Sequence, residues 1–370
     1  MRIESIEAIP IAIPLAKNFG GSTYSVLTRC TVVTRMRTAA GLVSEVYNGD
    51  NREHGRAIVR LIHETLAPRV RGMSIFEGER VWETLFALSH TSRDRKVLLE
   101  AIACVDCALW DLVGKALGKS VCALLGGYRQ RLPIISIGGY YMEGKTLADI
   151  GREMEAYRRA GMAGCKFKVG GLTPEEDAKR VDAARRAAGA DFVLAVDANR
   201  GWSAQDAIRF ARLIEPLDIR WFEEPCYWYD DAALMARVRQ ATRIPVTAGQ
   251  SEITSHGVRR LLEAGAVDLV NVDASECGGV TEWRRAAALC SAAGVDMAHH
   301  EESQIAQHLM AAVPHGTYAE CFADPERDPV WQSMWANRPI AKDGMIEVSQ
   351  DPGFGLVLDE AMIQRYRVRG

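Results

Sequence analysis

Two lysines, Lys166 and Lys168, stand in one short β-branched run, Cys165–Val169. Side chains two apart on a strand share a face, so their ammonium groups crowd each other. Each is expected to depress the other's pKa, and a divalent cation nearby would add to the effect. A lysine treated this way can act as a general base near neutral pH. Farther on, Asp197 and Glu223 end two more runs with hard carboxylate oxygens, the donors that Mg²⁺ takes. A third ligand is expected from the next run, where Gln250 and Glu252 share a face. The preference of Mg²⁺ for an anion favours Glu252. Asp273 and His300 end the two runs after that. A carboxylate on one imidazole nitrogen fixes the tautomer and raises the basicity of the other. His299 alternates to the opposite side and is expected in packing, and Glu320 closes the series.

Singly, each group has a plain structural reading: exposed lysines, carboxylates paired with arginines, a core histidine. In succession they do not. So many charges gathered at one mouth are costly to bury unless a metal or reciprocal pairing offsets the cost. That cost points to a site.

The elements that carry these residues alternate. Runs at Pro133–Ile137, Cys165–Val169, Phe192–Val196, Ile219–Phe222, Ile244–Thr247, Val267–Val272, Val295–Ala298 and Thr317–Glu320 are separated by helical stretches. This rhythm predicts a (β/α)₈-type TIM barrel, or a modified (β/α)₇β form, since no final helix is evident. A doubly wound open sheet competes, and eight units favour closure. Ahead of the barrel, alternation through Arg2–Ile11, Val26–Met36 and Leu42–Tyr47 predicts an antiparallel meander. Helices follow from about Glu53 to Leu66, from Ile75 to Leu88, and from Val97 to Leu117, stopped by Gly118. The expected organisation is an N-terminal α+β capping domain over 1–125, a catalytic barrel over 126–325, and a tail over 326–370 that returns to the capping domain.

The chain has 370 residues, 48% hydrophobic and 25% charged, with a net charge of −3. A long basic run is missing, so nucleic acid and anionic membrane are not expected partners. The N-terminus alternates and includes Glu4 and Glu7, so it reads as a strand and not a signal peptide. A continuous apolar stretch of membrane-spanning length is also missing. The nine cysteines, an odd count, lie mostly in apolar segments, the usage of a reducing cytoplasm. Cys104 and Cys107 form a CxxC inside a helical pattern and are expected in the core.

Taken in order, these residues resemble the enolase superfamily, and within it the mandelate racemase subgroup. The resemblance covers nearly the whole chain. It is carried by the helix Ala101–Gly118 followed by Leu124-Leu125-Gly126-Gly127, and by the Lys-x-Lys at 166–168. It is carried further by Val196-Asp197-Ala198-Asn199, Phe222-Glu223-Glu224-Pro225, and Asp273 ahead of Gly278-Gly279. The resemblance implies that Asp197 and Glu223 hold Mg²⁺ and that Lys168 is a base on one face of the substrate. Lys166 would help to hold the carboxylate, and His300, oriented by Asp273, would act on the opposite face. Glu320 would hydrogen-bond the developing enediolate, and Asn199 would touch substrate. The family's usual acid after the fifth strand is Gln250 here, which leaves Gln250 and Glu252 both open. Asp273 stands where the muconate-lactonizing subgroup has a second catalytic lysine, which disfavours cycloisomerisation of that type.

The expected chemistry is removal of an α-proton from a small carboxylate, with Mg²⁺ stabilising the enediolate. Dehydration of an acid sugar to a 2-keto-3-deoxy acid is the preferred outcome, with racemisation of a 2-hydroxy acid as the alternative. A metal- and ligand-binding barrel without turnover is the non-enzymatic reading. Polar residues near the N-terminus, including Asn18, Ser22, Thr23 and Tyr24, with Asn48 and Asp50, are placed to meet several hydroxyls. A symmetric homo-oligomer is the family's habit and is expected here.

Overall fold

The computed structural model describes residues 1–51 and 54–369. The chain opens with a three-stranded antiparallel meander, β1 (Ile3–Gly20), β2 (Ser25–Thr38) and β3 (Val46–Asn48), with β2 in the middle. β1 runs past Pro10 and Pro14, farther than the alternation alone suggests. As an edge strand it tolerates their missing N–H groups, and the Pro10 carbonyl accepts from Val368 N.

Of the helix expected from about Glu53, residue 53 lies outside the described residues. Helical structure is described at Gly55–Leu61 and continues through Ile62–Leu66 to Val70. The long helix Arg95–Leu117 starts where the Asp94 carboxylate accepts from Val97 N. It stops at Gly118, whose φ of 62° is left-handed and favours glycine. Its middle is buried on all sides, and Cys104 and Cys107 sit there as free thiols.

The barrel strands are β4 (Arg131–Gly138), β5 (Gly164–Lys168), β6 (Val193–Asp197) and β7 (Ile219–Glu223). They continue with β8 (Val246–Ala248), β9 (Leu269–Val270), β10 (Asp296–Met297) and β11 (Ala319–Cys321). They pair in parallel in that order, and β11 pairs with β4. Met297 N donates to the His315 carbonyl, and Thr317 N to that of Met297. These two bonds close the ring between β10 and β11, which excludes the open doubly wound alternative.

The helices that follow β4, β5 and β6 start at side-chain caps, Thr146, Thr173 and Ser203. Thr173, for example, accepts from Glu176 N while the Glu176 side chain accepts from Thr173 N. Ile135, Ala195, Trp221 and Leu269 pack together within the sheet as a dry cluster. After β11, the described residues form a short π-helical turn, Val330–Met334, where an eighth barrel helix would stand. β12 (Met345–Glu347) then pairs antiparallel with β4, and the helix Glu360–Tyr366 packs against β1. The architecture is therefore the (β/α)₇β form of a TIM barrel under an N-terminal capping sheet. Among the described residues, none of the helices is long and apolar enough to cross a membrane.

Candidate active site

In a parallel barrel, strand twist and pairing bring the C-terminal strand ends to one rim. Register places Lys168 beside Asp197 and Asp197 beside Glu223 along β5, β6 and β7. The side chains lock accordingly. Lys168 Nζ donates to Asp197 Oδ2 at 2.6 Å, and Lys166 Nζ donates to Glu223 Oε1 and Glu320 Oε2, each at 2.8 Å. All five groups are at most 1% exposed. They form a buried layer of two ammonium groups and three carboxylates. Asn199 N closes the Asp197 side by donating to Oδ1 at 2.8 Å, and Trp221 Nε1 donates to Glu223 Oε2 at 3.1 Å.

The lysines differ from the sequence expectation. Burial alone would lower both, but Glu223 and Glu320 outweigh it at Lys166, as Asp197 does at Lys168. Both ammonium groups are held above their ordinary range. The reason is distance: carboxylate oxygens lie within hydrogen-bond reach of each nitrogen and dominate the repulsion between the two lysines. Asp197 is pulled down to about 2, because Lys168 and Lys166 together overcome its burial.

Above this layer opens a cavity of about 440 Å³. Lys168, Asn199, Gln250, Asp273 and His300 line it from the barrel, and Tyr24 from the capping side. β5 and β10, which lead to Lys168 and His300, are separated by β4 and β11, so the two residues face each other across the mouth. His300 Nδ1 lies 3.1 Å from Asp273 Oδ2. Burial, reinforced by the two ammonium groups, keeps the imidazole well below its ordinary value and therefore neutral. With Nδ1 committed to Asp273, Nε2 is the nitrogen left for the cavity. His299 points the other way, as alternation requires, and accepts from Ala274 N at 3.0 Å.

Three expected residues fall elsewhere or divide. Glu252 does not line the cavity: its Oε1 accepts from Arg260 Nη2 at 2.9 Å on the outer face. Gln250 does line it, is 5% exposed, and its Nε2 has no hydrogen-bond partner among the described residues. Anion preference pointed to Glu252, but the chain turns after β8 and spends that carboxylate on a cation of the following helix. Asn48 is fully buried and donates to Ser275 Oγ at 3.0 Å, joining β3 to the segment after β9. That bond fixes it in the seam between capping sheet and barrel, away from the cavity lining.

Other groups were not foreseen. Glu301 lines the cavity with Oε1 3.5 Å from His300 Nε2. Its N–H donates to Glu320 Oε2 at 3.0 Å. Alternation could not place it, because Glu301 and Glu302 take left-handed φ values of 47° and 49°. Lys96, Glu100 and Glu276 also reach the cavity. Lys96 and Glu100 stand four apart on the helix Arg95–Leu117, with Lys96 Nζ 3.8 Å from Glu100 Oε1.

Asp197 and Glu223 suit a hard divalent cation: two buried carboxylates on paired strands, under a wall carrying the amide of Gln250 and an Asn199 Oδ1 without a partner among the described residues. Two anions and amide oxygen are a donor set that Mg²⁺ accepts, with water completing the shell.

Residues 7–126 match the mandelate racemase / muconate lactonizing enzyme N-terminal domain, and residues 149–362 match the enolase C-terminal domain-like family. The chain is 29% identical to 3,6-anhydro-alpha-L-galactonate cycloisomerase of Streptomyces coelicolor, over 99% of both chains. It is 26% identical to L-talarate/galactarate dehydratase of Salmonella typhimurium, over 96% of this chain and 88% of that one. Among solved structures, a mandelate racemase/muconate lactonizing enzyme superposes with a TM-score of 0.96 at 47% identity, covering all of both chains. A second, from a marine actinobacterium and in complex with magnesium, gives 0.92 at 45% identity over 100% of this chain and 99% of that one.

Proposed function

The chain belongs to the mandelate racemase/muconate lactonizing enzyme family of the enolase superfamily, and from that premise we propose that it dehydrates an acid sugar to a 2-keto-3-deoxy acid. The observation that carries this reading is that Lys168 and His300, two proton carriers, line one polar cavity from opposite sides, above paired carboxylates. A relative aligned over most of the chain is a dehydratase of acid sugars.

Asp197, Glu223 and Gln250 would hold the cation. When bound, Mg²⁺ would polarise the substrate carboxylate and draw the Asp197 and Glu223 charges away from the lysines. Lys166 and Glu320 sit beneath the carboxylate, where an ammonium and a carboxyl can stabilise charge that builds on its oxygens. Lys168, once relieved of its proton, takes the α-hydrogen, and the enediolate results. The β-carbon–oxygen bond then breaks, and the departing hydroxyl takes a proton from His300 Nε2, which the neutral ring has first taken up from solvent when the anionic substrate binds. Water leaves, and Lys168 returns the α-proton to solvent. The enol that remains tautomerises to the 2-keto acid. Asp273 keeps the His300 ring in the orientation that presents Nε2.

A second reading is favoured by the cycloisomerase relative, which aligns with essentially the whole chain. The absence of a lysine at position 273 therefore does not remove isomerisation as a class. The first step would be shared, and the bond broken at the β-carbon would be to a ring oxygen instead of a hydroxyl. Racemisation would share that step too and return the proton from His300 to carbon.

Incubation with Mg²⁺ and a panel of aldonic and aldaric acids in D₂O tests the dehydration and racemisation readings, and anhydro forms of the same acids added to the panel test ring opening. Dehydration predicts 2-keto acid. Exchange at Cα without keto product would favour racemisation. The absence of both keto product and Cα exchange, with every acid, would remove the proposal and leave the binding-only barrel.

A further inference from the structure

Resting on that acid-sugar reading, we propose that the capping-side wall of the cavity selects substrates with one carboxylate, accepting the hydroxylated end of an aldonate and rejecting the second carboxylate of an aldarate. The wall is built from Lys96 and Glu100 of the helix Arg95–Leu117, Glu276 from the turn after β9, and Asp50 beyond β3. That gives three carboxylates and one ammonium. Lys96 Nζ is taken up by a hydrogen bond to Glu276 Oε2 and lies 3.8 Å from Glu100 Oε1. Asp50 is answered from behind by Arg29 and Arg327, each 3.6 Å away. Both arginines have side chains only 2% exposed, and Arg29 is shared with Glu302 and Asp328.

What remains for a ligand is mostly acceptor. Glu100 is 5% exposed, and its Oε2 is buried without a hydrogen-bond partner among the described residues. A sugar hydroxyl can donate to such an oxygen. A carboxylate cannot, and it would set like charges against each other in a partly desolvated space. Asn51 and His54, which line the same side, also suit hydroxyls. Burial pushes the Glu100 carboxyl up to about 7, and in its protonated form it could still donate to a hydroxyl oxygen. Among the described residues of this wall, no cation is spare for a second anion.

The test uses matched hexonate and hexarate pairs of the same stereochemistry, with turnover measured on the Mg²⁺-loaded enzyme. Affinity for the same pairs is measured by calorimetry on Lys168→Ala. The expected result is a preference of ~10-fold or more for the hexonate in both readouts. Glu276→Gln releases Lys96 and is expected to narrow that gap by about tenfold. Glu100→Gln should narrow it as well, and Glu276, being partly exposed, keeps the test open if the Glu100 variant fails to fold. Hexarates handled as well as hexonates, or a gap unmoved in folded variants, would overturn the selectivity while leaving the acid-sugar reading intact. If none of the acids binds or loses its α-hydrogen, the acid-sugar reading itself has failed, and the selectivity with it.

Discussion

Replacing Gln250 by glutamate adds an anion to the cavity wall and leaves the Glu252–Arg260 pair alone. Gln250→Glu should therefore tighten Mg²⁺ binding by ~10-fold or more in a calorimetric titration, because Mg²⁺ favours charged oxygen over an amide. Glu252→Gln should leave that affinity unchanged and cost about 0–1 kcal/mol in stability, since Arg260 is half exposed. Loss of Mg²⁺ binding in Glu252→Gln would reverse the assignment. On the proton side, Lys168→Ala should lower kcat by ~10²–10⁴-fold, in the range expected for loss of a general base. Calorimetry should still detect substrate binding, which separates a catalytic loss from a collapsed site. The types and order of these residues are legible in the sequence because strand ends converge by geometry alone. Their charge states are not. Whether Lys166 and Lys168 are depressed or raised depends on whether ammonium or carboxylate is nearer, and bonds of 2.6–2.8 Å to oxygen decide it. Gln250 and Glu252 could be separated only once the turn after β8 was known.

At the scale of elements, the loop after β10 carries His300 and must hold two successive non-glycine residues in left-handed backbone, Glu301 and Glu302. Such conformations cost on the order of 1 kcal/mol each and persist where the surroundings over-determine them. Glu302 supplies that determination. It accepts from Gly49 N at 2.9 Å and from Gln304 Nε2 at 2.6 Å, and lies 3.3 Å from Arg29 Nη2 of β2. The capping sheet thereby pins the loop that presents the imidazole. Arg29→Met should cost about 3–5 kcal/mol in denaturant unfolding, because it leaves Glu302 and Asp328 buried without their partner. It should also slow isotope exchange that depends on His300 more than exchange that depends on Lys168. Equal losses on both faces would make Arg29 a purely structural residue. Sequence periodicity reached the eight strands and the capped helices because those patterns are local. The Arg29–Glu302 contact joins residues 273 apart, and no local pattern announces it. Asn48 was misread for the same reason, since its partner Ser275 lies across the seam.

The whole molecule meets at a histidine that does no chemistry. His308 is fully buried in the helix Ser303–Ala312 of the barrel. Its Nδ1 accepts from Cys122 N at 3.3 Å, in the segment leading from the capping domain, and its Nε2 donates to the Phe354 carbonyl at 3.1 Å, in the C-terminal tail. Three stretches of chain distant in sequence are tied by one ring, and only the neutral tautomer satisfies both bonds. Burial accordingly holds this histidine down at about 4, against 6.5 for an ordinary one. The sign follows from proton counting. Between those two values the unfolded chain binds a proton at this site and the folded chain does not, so stability rises with pH across that window. Above about pH 6.5 both states are neutral and the site carries no penalty. Below about 4 both are protonated and the penalty is complete, at roughly 3 kcal/mol. Buried carboxyls such as Asp106, pushed up to about 7 mainly by burial, act with the opposite sign, so the wild-type curve alone does not isolate the histidine. A difference does. His308→Gln keeps an acceptor for Cys122 N and a donor for the Phe354 carbonyl but cannot titrate. Its unfolding free energy, measured by denaturant titration from pH 7.5 to 4.5, should start at or slightly below that of wild type. It should then gain on wild type as acid is added, because only the wild type loses stability at this site. Parallel curves across that window would mean that His308 is as easily protonated in the folded joint as in the open chain, and the neutral-ring account of the joint would fall.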